Sequence, residues 1–301
     1  MDRFQAMRVF VRVVEAGSLT QAAQTLQLGR ATVTQLLQQL ETHLQVRLLH
    51  RTTRKLILTD EGAAYYQRAV QLLAALEEAE ASVGRARSQP RGRLRIDVPS
   101  PFAQRVLMPA LPDFLACYPG IELAIGASDR EVDVIGQGVD CVIRGGELRD
   151  GGLVARRLCE LPLALHAAPA YLARCGTPAD PQQLQDPAHR LVGFRGAQSG
   201  EVYLPRLSRG GQTVVPAMHC QLSVDDGNAC LAAGLAGLGI ICLPTYMTAA
   251  HVRAGELVPV LAEWQLPTMP LHLVFAPSRH VSHRLRVFID WMVEHLQPGL
   301  A

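Results

Sequence analysis

"EAGSLTQAAQTLQLGRATVTQLLQQLE", residues 15–41, holds two short helical patterns with almost nothing between them. Gly17 stops an upstream helix. Ser18 begins the next, and Gln21 three residues later completes a capping box. Ala22, Ala23 and Leu26 are its apolar positions, and two adjacent alanines let another helix approach closely. Leu28-Gly29 is the turn. A further helix runs from about Arg30 to Leu44, with Val33, Leu36, Leu37, Leu40 and Leu44 at core spacing. That spacing leaves Thr32, Thr34, Gln35, Gln38 and Gln39 outside, with Arg30 at the positive end. A solvated face is usually built from Glu and Lys; this one offers neutral donors and acceptors.

Working outward, residues 2–16 read as a helix with Phe4, Met7, Phe10, Val11 and Val14 on one face. Downstream, "VRLLHRTTRKLILT" (46–59) reads as two short strands, Arg47–Leu49 and Leu56–Leu58, around a cationic tip at 51–55. By itself such a hairpin is a solvated surface feature. Beside a helix–turn–helix it is a wing that can hold a sugar-phosphate backbone, while the second helix of the pair enters a major groove. Candidate DNA contacts are Ser18, Thr20, Gln21, Arg30, Thr32, Thr34, Gln35, Gln38, Arg51, Thr53 and Arg54.

The charge balance agrees with that reading. Residues 1–93 carry 13 Lys or Arg against 8 Asp or Glu, a balance of +5, whereas the remainder carries 16 against 19, or −3. A basic front and a mildly acidic rear direct a polyanion to the front. With 49% apolar and 19% charged residues in 301, the chain is globular and long enough for two or three units. No apolar run reaches the roughly 20 residues of a membrane span. The first residues, "MDRFQAMRVF", carry no export signal. Seven cysteines at scattered spacings, with Cys117, Cys141 and Cys242 in apolar runs, read as structural thiols in a reducing cytoplasm.

The run "FVRVVEAGSLTQAAQTLQL…VTQLLQQLETHLQVRLLHRTTRKLILTDEG" resembles the winged helix–turn–helix of LysR-type transcriptional regulators. The matching features are the helix pair, Leu40-Glu41, Leu48-Leu49 before Arg51-Thr52-Thr53-Arg54, and Leu58-Thr59 before Glu61-Gly62. The sequence departs from the family at Gly29-Arg30-Ala31, where Ser-x-Pro is common, so no base preference carries over. From Thr59 to about Ser88 runs one long helix, with Ala69, Leu72, Leu73, Leu76, Ala79 and Val83 in an apolar stripe. The resemblance implies a dimer through this linker, in a dimeric or tetrameric protein; the alternative is that the stripe packs on its own domain. "SQPRGR" (88–93) separates it from the rear. The expected division is 1–59 for the DNA-binding head, 60–88 for the linker, and 89–301 for the rear.

The rear alternates strands and helices: "LRIDV", a helix near 103–117, "IELAIGAS", a short helix, and "VDCVIRGG". A second set lies around "PLALHAA", "RLVGF", "MHCQLS" and "GLGIICLP", followed by "LHLVFAP" and a closing amphipathic helix. Such alternation predicts an α/β fold with parallel sheets. Two such lobes, with "SDREVDVIGQGVDCVIRGGEL" and "LVARRLCELPLALHAAPAYLARCG", resemble the periplasmic-binding-protein-like effector domain of the same family. In that fold ligands sit between lobes, beyond the carboxyl ends of strands. Those ends carry Ser100, Phe102, Ser128, Asp129 and Arg144 on one side and Phe194, Arg195 and Asp226 on the other. Arg144 and Arg195 could each fork onto a ligand carboxylate or form inter-lobe pairs with Asp129 or Asp226. Ser100 at a helix N-terminus favours an anion.

The expected partners are therefore double-stranded promoter DNA, a small, anionic effector and further copies of the chain, with RNA polymerase a candidate beyond these. A solute-binding protein of a transport system would share the rear fold, but not the first 60 residues. There is no G-x-S-x-G, no H-E-x-x-H and no phosphate-cradling loop, so no enzyme, cofactor or metal is expected. "AGLAGLGI" (233–240) reads as a helix end entering a strand, a packing segment.

Overall fold

Gly17 ends the first helix with φ +59°, and Ser18 opens the second by accepting the Gln21 N–H on its hydroxyl at 3.4 Å. Helices α1 (Arg3–Ala16), α2 (Leu19–Thr25) and α3 (Arg30–Leu44) then close around Phe10, Val13, Ala22, Val33, Leu37 and Leu40. The computed structural model describes residues 2–51, 56–83, 89–130, 139–148, 152–196, 200–277 and 281–296. These form two compact units, divided near Ser88.

In the first unit, β1 (Leu49–Arg51) pairs antiparallel with β2 (Leu56–Leu58), Leu49 opposite Leu58. The first strand thus starts two residues later than expected, because Leu48 is held elsewhere: its N–H goes to the Glu41 carboxylate and its C=O to the Thr59 N–H. Helix α4 (Asp60–Val83) follows, its first turn tied by the Thr59 hydroxyl, which accepts from Gly62 N at 2.8 Å. Gly62 is required by proximity, since a Cβ there would stand 2.0 Å from the Leu48 carbonyl oxygen. The apolar stripe of α4 divides. Ala69 and Leu73 are buried against Met7 of α1, whereas Leu72 is 52% exposed.

The second unit contains two lobes. In the first, β3 (Gly92–Val98), β4 (Ile121–Ala127), β5 (Cys141–Gly145), β6 (Val154–Leu161) and a late strand build one sheet. Between β3 and β4, α5 (Ser100–Phe102), a π turn (Ala103–Leu107) and α6 (Met108–Cys117) follow without interruption. The second lobe comprises β7 (Leu163–Ala167), α7 (Pro169–Cys175), β8 (Arg190–Phe194), β9 (Leu207–Arg209), β10 (Gln212–Val214), β11 (His219–Val224), α8 (Gly227–Leu235), β12 (Ile241–Pro244), α9 (Thr245–Arg253) and β13 (Val258–Val260). The chain then returns as β14 (Met269–Phe275) and ends in α10 (His283–Leu296).

The sheets are not all parallel, and the five-stranded one is mixed. β3 runs parallel to β4 and β5, but β14 is antiparallel to both β5 and β6, giving the order β4-β3-β5-β14-β6. In the second lobe β8 and β11 are parallel, while β7 is antiparallel to β12 and β13. The reversal follows from connectivity: β6 leaves the first sheet and β14 re-enters it beside β6. Strand β6 and the β9–β10 hairpin carry no clean apolar alternation, with β6 exposed over four consecutive residues, and sequence patterning passes over them. "AGLAGLGI" does end α8 and enter β12, with Gly234 against Ile241. Cys117 is exposed at the end of α6, contrary to its apolar neighbours in sequence; Cys141 is fully buried. Burial pushes the Cys230 and Cys242 thiols up to about 12, which favours the protonated thiol. No helix among the described residues is long and apolar enough to cross a membrane.

Phe114 of α6 anchors the closing helix. Its ring lies 5.5 Å from Phe288, edge to face, and 5.1 Å from Trp291. Phe114→Ala should cost about 3–5 kcal/mol, read as a loss of urea stability in the second unit's transition.

Candidate DNA-reading face and effector crevice

On α3 the core positions leave Arg30, Thr32, Gln35, Gln38 and Gln39 exposed. Gln35 is central, flanked on the helix surface by Ala31 and Thr32 behind and by Gln38 and Gln39 ahead. The Thr34 hydroxyl is half-buried and donates to the Arg30 carbonyl at 3.0 Å, so outward it can only accept. Gly29 caps the helix without a side-chain bond, leaving the first-turn N–H groups beside Arg30 available to a phosphate oxygen. On α2, Thr20 and Gln21 are exposed, whereas the Ser18 hydroxyl is committed to its cap. Arg51 closes β1 opposite Leu56; Thr53 and Arg54 fall outside the described residues.

Glu41, legible in the sequence only as part of a helix end, is 7% exposed. Its Oε1 accepts from Leu48 N at 2.9 Å and Leu49 N at 3.2 Å, and Arg47 stands 3.7 Å from Oε2. This carboxylate fixes the start of the β1–β2 hairpin to the end of α3. The available signal was an acid inside the apolar run "LLQQLETHLQVRLL".

In the second unit the two lobes meet at the strand ends that carry Ser100, Asp129 and Asp226. Asp129 Oδ1 accepts from Ser100 N at 3.1 Å in its own lobe, and Oδ2 accepts from Gly227 N at 2.6 Å in the other. The Ser100 hydroxyl accepts from Asn228 Nδ2 at 3.0 Å, and Asn228 Oδ1 accepts from Arg105 at 2.9 Å. Gly227 permits the approach: a Cβ there would meet Pro101 Cγ at 2.7 Å. Ser128 accepts from Arg130 N, and Asp226 caps α8 by accepting from Ala229 N at 2.7 Å. Burial, above all, raises the Asp129 carboxyl above the usual carboxylate range; the Gly227 N–H opposes this and nearby Asp226 adds to it. Burial likewise raises Tyr246, with Asp129 the next cause.

Two expected residues sit differently. Arg144 makes no inter-lobe pair with Asp129 or Asp226; it bonds Asp97 Oδ1 at 2.7 Å, the Arg130 carbonyl at 3.0 Å and the Ile143 carbonyl at 2.9 Å, all within its lobe. Asp97 is a buried strand residue whose charge needs a partner, and Arg144 supplies it. Phe102 is 1% exposed and belongs to the lobe's core, which removes it from the crevice wall. Phe194 is half-buried against the second lobe's core, and the Arg195 side chain is exposed. Asn228 and Arg105 went unnoticed in the sequence because their partners lie more than a hundred residues away. An open cleft of about 480 Å³, lined by Gln185, Pro187, Arg190, Ala217, Met218 and His219, lies at the opposite, amino ends of β8 and β11.

Two family models account for nearly the whole chain. Residues 4–63 match the bacterial regulatory helix-turn-helix protein, lysR family, and residues 87–297 match the LysR substrate binding domain. The chain belongs to the LysR family. An HTH-type transcriptional repressor of Pseudomonas aeruginosa (strain UCBPP-PA14) is 40% identical over 294 residues, covering 98% of this chain and 92% of its own. The regulator CrgA of Neisseria meningitidis is 34% identical over 98% of both chains, and its solved structure superimposes with a TM-score of 0.61 over 97% and 98% of the two chains. The full-length Vibrio cholerae virulence activator AphB is 30% identical with a TM-score of 0.59, over 97% of this chain and 99% of its own. This LysR-family protein is thus a transcriptional regulator with an effector-binding domain, and a transport role for the two lobes is set aside. The family binds DNA and small-molecule effectors and forms oligomers.

Removing the Glu41 carboxylate strands two N–H groups at the wing's root. Glu41→Ala should destabilise the first unit by about 3 kcal/mol and leave the second unit's unfolding transition in place, a split that urea denaturation followed by circular dichroism would resolve.

Proposed function

We propose that this regulator reads promoter DNA with Arg30, Thr32, Thr34, Gln35 and Gln38 in the major groove. Ser18, Thr20 and Gln21 meet the flanking backbone, and the wing residues Arg51, Thr53 and Arg54 hold phosphates. The exposed amides around Gln35 carry this reading, because amide side chains bond base edges bidentately. Residues 1–59 act as the head, 60–88 as the linker and dimerisation helix, and 89–301 as the effector domain. The effector binds between the lobes, against Ser100, Ser128, Asp129, Phe194, Arg195 and Asp226. Its binding shifts the population of inter-lobe arrangements and thereby the spacing of paired heads on a dyad-symmetric site. The protein works in the cytoplasm, without catalysis, as a dimer or tetramer, and RNA polymerase is the natural further partner of an activating form.

Gln35→Ala should cost about 1–3 kcal/mol at the specific site and little on scrambled duplex, whereas Arg30→Ala should weaken both. Wild-type affinity should fall with salt at about −0.9 in log–log slope per phosphate contact. Fluorescence anisotropy on the intergenic region beside the gene measures all three. An unchanged preference for specific over scrambled DNA in Gln35→Ala would place another face in the groove.

Leu72 is an outward apolar residue of α4, so it is the place to test association. Leu72→Asp leaves the head's own core untouched but puts an unpaired carboxylate into the paired helices, at a cost of several kcal/mol. Sedimentation at micromolar concentration should show the monomer, with circular dichroism unchanged. A variant that sediments as the wild type would assign the interface to another surface.

A further inference from the structure

Among the described residues, three hydrogen bonds join the two lobes at the first turn of α8: Gly227 N to Asp129, Asn228 Nδ2 to Ser100, and Arg105 to Asn228 Oδ1. Asp129 is the one carboxylate among them. Each of its oxygens takes the main-chain N–H of a residue that opens a helix, Ser100 for the run 100–117 and Gly227 for the nine-residue α8. Two helix N-termini facing each other across a cleft are the preferred surroundings of a carboxylate group. Here that group is supplied by the chain.

We infer that Asp129 is a tethered internal anion that decides which effectors this crevice accepts: it fills the carboxylate position between the two helices, so a ligand group recognised there must be uncharged or cationic. The inference rests on the crevice being the effector site. A free carboxylate would have to displace Asp129 from both N–H groups and then share the space with it and with Asp226. Like charges a few ångströms apart in a half-buried site repel strongly. Gly227 supports the same arrangement, because a side chain there would collide with Pro101 and hold its N–H away from Asp129. The sequence expectation of an anionic effector at Ser100 is thereby turned round: the anion-accepting N–H exists, and Asp129 already occupies it.

Chemical rescue tests this on the full-length protein. Asp129→Ala leaves a carboxylate-sized gap between the two N–H groups, and formate is the smallest carboxylate that fits. Thermal unfolding is followed in sodium formate and in sodium chloride at equal ionic strength. The variant should unfold at lower temperature than the wild type in chloride and regain about 2–4 °C in formate, while the wild type shows no formate-specific rise. A folded variant that gains nothing from formate, or a wild type that gains as much, overturns the inference. If the alanine variant does not fold, Asp129→Asn carries the test. It keeps the shape but offers only one acceptor, so its midpoint should fall below the wild type's; an equal midpoint overturns the inference. The regulator reading stands or falls on operator binding by the wild type, which none of these measurements uses.

Discussion

A carboxylate accepting two main-chain N–H groups is the interaction around which each unit of this regulator is organised. In the head it is Glu41, which takes the N–H groups of Leu48 and Leu49 and so sets where the wing begins. In the effector domain it is Asp129, which takes those of Ser100 and Gly227 and joins the lobes. Burying a charge is costly unless hydrogen bonds replace its water, and two backbone donors do so without the entropy of ordering a second long side chain. Such an anchor is also directional. It fixes the position of a segment of backbone, whereas apolar packing alone fixes only its proximity.

The consequences for function differ in the two places. At Glu41 the anchored segment is the root of the β1–β2 hairpin, so the end of α3 and the start of β1 are held together. At Asp129 the anchored element is the first turn of α8, on the far side of a crevice. Three hydrogen bonds among the described residues bridge that point, and in the proposed function these few polar contacts are what a bound effector acts on. Aromatic packing of Phe114 on Phe288 and Trp291, by contrast, lies within one lobe.

The arginine inventory shows how tertiary context reassigns a residue. Arg144 and Arg195 look alike in sequence, each at a strand's carboxyl end before a glycine-containing segment. Arg144 is consumed by Asp97, a partner 47 residues upstream that the adjacent strand brings alongside. Arg195 keeps its side chain in solvent while its main chain pairs with Val224. The stripe on α4 divides similarly: the head's first helix claims Ala69 and Leu73, and Leu72 is left outward.

What the sequence determined by itself was local. The helix pair, the limits of α3, the cap at Ser18, the start of α4 and most strands of the two lobes follow from periodicity, caps and turns, all set by residues within a few positions of each other. The family resemblance of the first sixty residues was legible for the same reason, as a dense local pattern. The tertiary structure decided everything that depends on distant partners: the antiparallel return of β14, the core position of Phe102, the capture of Arg144 by Asp97, and the carboxylate of Asp129 between two helix N-termini. Hydrogen bonds between residues 98 and 128 positions apart leave no periodic trace in a chain, because no local preference is needed to make them. That is why the strand ends could be named from the sequence, while the contact of Asp129 with both helix starts appeared only once the two lobes were in place.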